Sequence, residues 1–214
     1  MPVRRGGFSL AGPGLLFVVS GPSGAGKDTL VAALRDRMPR VRYSVSATTR
    51  APRPGERDGI DYHFLPRARF EEWLAEGKFL ETHEYNENLY GTPLPYLEET
   101  LREGYDVVMK PEVNGALAIK KAYPDATLIF LLPEKFSQLQ KRLEARRTET
   151  TQEIAARMAI AHEELKEVRS FDYLVINEHG READAVEDLV SIVRAERYRI
   201  HRYSDSVIRM IEQT

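Results

Sequence analysis

The chain has no cysteine among its 214 residues. This absence excludes disulfides, thiolate catalysis and zinc–thiolate sites. No apolar run approaches the roughly 18 residues that a membrane-spanning helix needs. There are 31 basic and 33 acidic residues, so the net charge is only −2, which argues against a general nucleic-acid binder. We therefore predict a cytoplasmic soluble enzyme, with no membrane or nucleic-acid partner.

The N-terminal residues 1–14 include Arg4 and Arg5 ahead of a short apolar run. That run is too short for a signal peptide, and no cleavage site follows it. We predict that residues 1–14 form a flexible tail.

The segment GPSGAGK at residues 21–27 has the spacing of a phosphate-binding loop: a glycine, four residues, then Gly-Lys. An apolar run at residues 15–19 precedes it as a buried strand would, and Leu30, Val31 and Leu34 follow at helical spacing. Glycines let successive N–H groups face one anion, and the helix start adds about half a positive charge. The alternative is a glycine turn that binds nothing. The predicted phosphate-binding residues of the loop are Gly21, Pro22, Ser23, Gly24, Ala25, Gly26 and Lys27.

The two residues after the loop depart from the usual motif, in which Ser or Thr offers a hydroxyl to Mg²⁺. Here Asp28 follows Lys27, and Thr29 comes next. A carboxylate beside a triphosphate repels it unless Mg²⁺ or a lysine lies between them. We predict that Asp28 is an acid favoured at a helix start and that Thr29 supplies the hydroxyl.

A second informative stretch covers residues 48–64, where prolines and glycines exclude a helix. Arg50 and Arg53 can clamp a phosphate, since each guanidinium offers planar, bidentate donors. Glu56 can hold one of these arginines in place. The alternative is a solvated basic loop.

The rest of the chain alternates between buried strands and amphipathic helices, which predicts a parallel sheet covered on both faces. A small β-rich insertion at residues 48–96 interrupts a core made of residues 15–47 and 97–214. The five predicted core strands cover residues 15–19, 41–46, 107–109, 127–132 and 173–176.

Three local patterns predict details of the helices. A short helix over residues 67–77 carries Phe70, Trp73 and Leu74 on one face. Thr92 followed by proline is typical of a helix N-cap. Ile200 continues the apolar stripe of a long closing helix.

The phosphate loop together with residues 48–64 resembles the guanylate kinase family, whose members phosphorylate GMP with ATP. The resemblance extends over residues 15–202. It implies an α/β, P-loop NTPase-like fold: a five-stranded parallel sheet, a GMP-binding insertion, and a mobile helical lid at about residues 142–157. The family signature is present as Thr48, Thr49, Arg50, Arg53, Glu56, Gly59, Tyr62 and Phe64.

The resemblance also implies which residues bind GMP. Guanine presents two adjacent donors that one carboxylate can accept, whereas adenine does not, so Glu81 suits guanine. Glu112 is placed near both the guanine and the metal. The implied phosphate-binding residues are Arg50, Arg53, Tyr62 and Tyr90, with Glu56 beside them. The implied base-binding residues are Ser46, Glu81, Thr92 and Glu112.

On the ATP side, the resemblance implies that the whole loop with Asp28 and Thr29 binds ATP, and that Thr29 also meets the metal. It further implies three lid arginines, Arg142, Arg146 and Arg157, and an adenine-side loop at Asn177. Phosphoryl transfer needs positioning and positive charge around the transferred group, which Lys27, Arg50 and the lid arginines would supply. The implied cofactors are ATP and Mg²⁺.

The sequence departs from the family pattern in the lid and at the third core strand. The lid has Ala145-Arg146-Arg147 where Gly-Arg-Gly is common, so both glycines of the family's lid pattern are absent here. Lys110 replaces an acid at the end of the strand, and a lysine cannot hold Mg²⁺. Lys110 either neutralises nucleotide phosphate or forms an ion pair with Asp28 or Glu112.

These features together predict ATP-dependent phosphorylation of GMP to GDP by a monomer or homodimer. The alternative is a catalytically inactive guanylate-kinase-like module for protein interaction. Such modules lack a working phosphate loop, so the presence of Lys27, Arg50 and Arg53 favours the enzyme.

Overall fold

A computed structural model describes residues 13–85, 87–145 and 151–202, and the backbone of residues 4–5 and 8–9. In chain order the strands are β1 (Arg4–Arg5), β2 (Phe8–Ser9), β3 (Leu16–Ser20), β4 (Val41–Tyr43), β5 (Ala47–Thr48), β6 (His63–Phe64), β7 (Phe79–Tyr85), β8 (Asn88–Pro93), β9 (Asp106–Met109), β10 (Thr127–Pro133) and β11 (Tyr173–Asn177). The helices are α1 (Lys27–Arg37), α2 (Arg67–Ala75), α3 (Leu94–Arg102), α4 (Val113–Ala122), α5 (Phe136–Ala145), α6 (Thr151–Lys166) and α7 (Glu182–Glu196), with 3₁₀ turns at Glu167–Ser170 and Ile200–Arg202. None of the helices in the described ranges is both long and apolar enough to cross a membrane.

Five parallel strands form the central sheet in the order β11-β10-β3-β9-β4. Every residue of β3 and β9 is buried, because both faces of the sheet are covered. Alternate residues of β3 serve opposite faces. Phe17 and Val19 pack in a core with α1 and α7, whereas Leu16 and Val18 pack in a core with α3 and α4. The predicted five-stranded parallel sheet with helices on both faces is therefore confirmed.

A second sheet of four short strands, in the order β6-β5-β8-β7, lies within residues 47–93. Strands β7 and β8 pair antiparallel, and Glu87 between them has a positive φ of 62°. This sheet occupies the region of the predicted insertion. Its predicted end at residue 96 falls inside α3, which begins at Leu94.

Three predicted details are wrong, each because of a tertiary contact or the helix geometry. Thr92 does not cap α3; it is part of β8, and its hydroxyl donates to Glu81. Leu74 is 46% exposed, because Phe70 and Trp73 already fill the buried stripe of α2. Ile200 is 74% exposed, since α7 ends at Glu196 and the chain turns away.

At the N-terminus, β1 and β2 pair antiparallel, and the rest of residues 1–12 lie outside the described part of the chain. Gly14 already belongs to the packed core, since it is buried and its N–H donates to the Leu101 carbonyl. The flexibility of the tail before it stays a prediction.

Candidate active site

The predicted phosphate loop lies between the carboxyl end of β3 and the start of α1, at the sheet edge where open α/β sheets bind ligands. Gly21, Gly24 and Gly26 have φ values of 137°, 87° and 100°, which favour glycine. A Cβ on Gly21 would lie 2.2 Å from the Leu131 carbonyl oxygen. The loop conformation therefore depends on its glycines.

Lys27, the first residue of α1, folds back over the loop. Its ammonium donates to the carbonyls of Gly21 and Pro22, the latter at 3.1 Å. Burial lowers the pKa of Lys27, and nearby carboxylates, Glu164 first among them, oppose that shift. The ammonium is thus kept beside the loop, where an anion would enter.

A cavity of about 550 Å³ opens above the loop. Its lining brings together residues from the loop, the end of β9, the start of α4 and helix α6. The lining residues outside the loop are Asp28, Thr29, Lys110, Glu112, Arg157, Ile160 and Glu164. The cavity therefore combines several cations with several carboxylates.

Lys110 forms an ion pair with Asp28. Of the two carboxylates that the sequence offered as partners, Asp28 rather than Glu112 therefore pairs with Lys110. Burial favours the neutral amine, but the hydrogen bond to Asp28 raises the pKa of Lys110 overall. Both charges lie at the mouth of the cavity, where the Asp28 side chain is 75% exposed.

Two other predicted ATP-side residues bond to the loop itself. The Asn177 amide, 3% exposed, donates to the Ala25 carbonyl at 2.8 Å. Asn177 therefore supports the loop from beneath. The Arg157 guanidinium donates to the Ser23 hydroxyl at 2.9 Å from across the cavity. Arg146 and the side chain of Arg142 lie outside the described part of the chain.

The predicted base-binding pair, Glu81 and Thr92, lies on neighbouring strands of the second sheet. The Thr92 hydroxyl donates to Glu81 Oε1 at 2.8 Å. On the other side, His83 Nδ1 lies 3.6 Å from Glu81 Oε2. Glu81 is therefore fixed in place with its side chain 23% exposed.

The predicted phosphate clamp forms a second cluster, centred on the loop between β5 and β6. The Arg50 guanidinium donates to Glu56 Oε1 at 2.8 Å, and the Arg53 N–H donates to Glu56 Oε2 at 2.7 Å. The hydrogen bond from Arg50 lowers the pKa of Glu56, and the same contact raises the pKa of Arg50. Arg50 also lies 5.4 Å from the Tyr62 ring, which meets the Tyr90 ring edge-on at 6.0 Å.

The remaining predicted GMP residues lie outside these clusters, one before them and one after them along the chain. Ser46 precedes β5, and its carbonyl accepts the His63 N–H at 2.9 Å. Glu112 lines the loop cavity as the residue just before α4. The structure thus groups the ATP-side residues on the core and most GMP-side residues on the insertion.

Glu164 is a cavity residue that motif analysis of the sequence missed. It lies seven positions after Arg157 on α6, a spacing that places both on one helix face. That spacing was the available signal, but no motif marks it.

Comparison with known proteins identifies the relatives of this chain. A sequence model described as guanylate kinase matches residues 14–196. A guanylate kinase of Rubrobacter xylanophilus is 47% identical over 181 residues, or 85% of this chain and 94% of the relative. One of Lactococcus lactis is 44% identical over 199 residues, covering 93% and 96%. The crystal structure of guanylate kinase from Anaplasma phagocytophilum superposes with a TM-score of 0.66 at 28% identity, covering 90% of this chain and 91% of that one.

Proposed function

The chain belongs to the guanylate kinase family, and on that premise we infer that it transfers the γ-phosphoryl group of ATP to GMP. The bond from the γ-phosphorus to the ADP oxygen breaks, and a new bond forms to a phosphate oxygen of GMP. The products are ADP and GDP. The observation that carries this proposal is the loop cavity with Lys27 and Arg157, together with an arginine clamp and a fixed carboxylate on the insertion.

For ATP, we propose that the loop N–H groups and Lys27 hold the β- and γ-phosphates. Arg157 faces Ser23 across the cavity and is suited to the transferred group. Arg142 and Arg146 stay predicted members of the same set. Adenine contact by the Asn177 loop also stays a prediction.

For the phosphate of GMP, the clamp of Arg50 and Arg53 with Tyr62 and Tyr90 supports binding. Glu56 accepts from the Arg50 guanidinium and from the Arg53 backbone N–H, so it holds the Arg50 side chain and the loop backbone at Arg53 before the substrate arrives. A preorganised clamp loses less entropy on binding than a mobile one.

For the base, Glu81 supports selection of guanine over adenine. Thr92 donates to one carboxylate oxygen and so fixes the plane of the group. A base without two adjacent donors would leave the Glu81 carboxylate unpaired. A site that loses a hydrogen bond in this way binds the wrong base much more weakly. Ser46 and Glu112 stay proposed base contacts.

Magnesium fits this site in a limited way. The Thr29 hydroxyl lines the cavity, whereas Asp28 is already paired with Lys110. Mg²⁺ commonly uses one or two protein oxygens plus substrate phosphates, so Thr29 and the nucleotide would hold it. Bound there, the ion would neutralise charge on the β- and γ-phosphates.

No observation favours the interaction-module alternative, and Lys27 lies at the loop as an active enzyme requires. The cytoplasmic location, the monomeric or homodimeric state and the lack of a nucleic-acid partner stay predictions. The substrates proposed are the small molecules GMP and ATP.

A coupled ADP-release assay with GMP, AMP, UMP and CMP as acceptors tests the proposal. We expect ADP release with GMP far above that with the other three. Equal rates with AMP would contradict guanine selection, and no release with any acceptor would contradict the enzyme itself.

A further inference from the structure

We propose that His83 is a positioning residue of the base site: its Nδ1–H orients the Glu81 carboxylate, and stacking on Tyr90 holds the imidazole in place. This inference rests on the proposed function and deepens it, because it gives part of the selectivity for guanine to a residue that no motif marks. It also links the base site to the phosphate clamp, to which Tyr90 belongs.

The first observation is the position of His83 on the second sheet. His83 and Glu81 are two residues apart on β7, and His83 lies opposite Tyr90 of β8 in the strand register. Residues two apart on a strand point to the same face of a sheet. The His83 ring therefore lies on the face that carries the proposed GMP residues Glu81 and Tyr90.

The second observation is how the Glu81 carboxylate is held. The Thr92 hydroxyl donates to Oε1 at 2.8 Å, and His83 Nδ1 lies 3.6 Å from Oε2. An ionised carboxylate only accepts hydrogen bonds, so it favours an imidazole with a proton on Nδ1. At 3.6 Å the contact is electrostatic rather than a hydrogen bond. Each carboxylate oxygen keeps a lone pair for one of the two guanine donors.

The third observation is the stacking of His83 on Tyr90. The two rings are nearly parallel, with an interplanar angle of 11° and centroids 5.4 Å apart. The His83 side chain is 63% exposed, so the protein core does not fix its orientation. The Tyr90 ring limits its rotation instead, and Tyr90 also meets the Tyr62 ring, beside which Arg50 lies. A chain of contacts thus joins the phosphate clamp to the carboxylate proposed to read the base.

Adenine provides the contrast that a test needs. Guanine presents two adjacent donors to Glu81, whereas adenine has an acceptor at N1 and gains nothing from an oriented carboxylate. Loss of His83 should therefore weaken the use of GMP and leave the use of AMP unchanged. The ratio of kcat/KM for GMP to that for AMP isolates this effect, because both nucleotides share the phosphate contacts.

The test compares His83→Ala, His83→Phe and Glu84→Ala in the coupled assay. His83→Ala loses both contacts, so the GMP-to-AMP ratio should fall about threefold to fivefold, the upper part of the range for an exposed charged pair. His83→Phe keeps a ring for Tyr90 but has no donor, and the same fall is expected. Glu84 is exposed and is the next residue on β7, so it points to the opposite face. Glu84→Ala should behave as the unmodified chain.

Two Tyr90 variants test the stacking contact separately. Tyr90→Phe keeps the ring and loses the hydroxyl, so it should weaken GMP and AMP alike and leave their ratio unchanged. Tyr90→Leu loses the ring that holds His83, so the ratio should fall as it does in His83→Ala. An unchanged ratio in Tyr90→Leu would contradict the stacking part of the inference.

Two readouts are independent of turnover and keep this test separate from the proposed function. Nitrogen NMR of the unliganded chain should show a proton on Nδ1 of His83, and this signal should change in Glu81→Ala. The affinity for GMP, measured by calorimetry, should fall about threefold to fivefold in His83→Ala. If the unmodified chain fails to phosphorylate GMP, the proposed function is wrong, and the state of Nδ1 still decides whether His83 orients Glu81.

Three results would overturn the role of His83 itself. The first is a GMP-to-AMP ratio in His83→Ala within about 1.5-fold of the unmodified chain, the lower end for an exposed pair. The second is an undiminished ratio in His83→Phe, and the third is an Nδ1 without a proton. An equal loss of GMP and AMP use with a lower melting temperature would indicate a loosened sheet and would also reject the role. If His83→Ala does not fold, His83→Phe decides.

Discussion

Replacing Lys110 with Met keeps the aliphatic stem and removes the charge, which separates its two roles. The Lys110 and Asp28 side chains are 32% and 75% exposed. An ion pair this exposed contributes roughly 0–1 kcal/mol. For a chain of this size, that shifts the melting temperature by about 2–4 °C at most. Stability alone is therefore a weak reason for the pair.

A phosphate is a stronger partner than an exposed carboxylate, so we expect Lys110 to leave Asp28 when nucleotide binds. A charge-assisted hydrogen bond is worth about 1.5–3 kcal/mol. The expected fall in kcat/KM for ATP in Lys110→Met is thus about 10–200-fold, with little change in melting temperature.

Two further variants control this experiment in the same coupled assay. Lys120→Met removes a lysine of similar exposure, 35%, that pairs with Asp172 at 3.1 Å and lies outside the cavity lining. It should leave turnover unchanged. Asp28→Asn should bind ATP as tightly or tighter, because the competing carboxylate is gone. A Lys110→Met variant that melts far lower yet turns over normally would refute the phosphate role and leave only the ion pair.

Three more variants test the base site, the loop and the core. Glu81→Gln places an amide donor against a guanine N–H. The transition-state stabilisation measured by kcat/KM for GMP should fall by about 2–4 kcal/mol, while the affinity for ATP stays the same. Unchanged GMP kinetics would reject base recognition by Glu81. In Gly21→Ala, the new Cβ would collide with the Leu131 carbonyl at a positive φ. The free energy of unfolding, measured by chemical denaturation, should therefore fall by about 3 kcal/mol. A stable, active variant would contradict the loop geometry. Burial acts to raise the pKa of Glu196, but hydrogen bonds from Arg202 and Tyr173 lower that pKa overall. The ionised Glu196 therefore stabilises the folded protein at pH values above the pKa that the residue has in the unfolded chain. This stabilisation is lost as the pH falls through the lower pKa that Glu196 has in the folded protein. The melting difference between the parent chain and Glu196→Gln should be largest at neutral pH and shrink below about pH 4; a constant difference would contradict this linkage.

The sequence was sufficient for features that depend on local chemistry. The loop at residues 21–27 is recognisable because its glycines, the strand before it and the helix after it are contiguous. The central sheet was predictable because its strands are short apolar runs. The contact of Glu56 with Arg50 could be predicted because both residues belong to one loop.

Features that depend on distant contacts were not predictable. In sequence, Thr92 resembles a helix cap, but its hydroxyl donates a hydrogen bond to Glu81 on the neighbouring strand. Lys110 had two possible carboxylate partners, and only the side-chain directions select Asp28. Glu164 comes from a helix remote in sequence from the loop, so no motif in the loop marks its position in the same cavity.

The measurement that tests the central claim most directly is GMP phosphorylation by Lys27→Ala. The account predicts a fall in kcat of roughly 100-fold or more, the scale of losing one preorganised donor at a reacting group. The melting temperature should stay within a few degrees of the parent, because Lys27 lines the cavity, donates only to two loop carbonyls and is not part of the hydrophobic core. A folded Lys27→Ala variant that phosphorylates GMP at a near-normal rate would contradict the claim that this loop is the phosphoryl-transfer site.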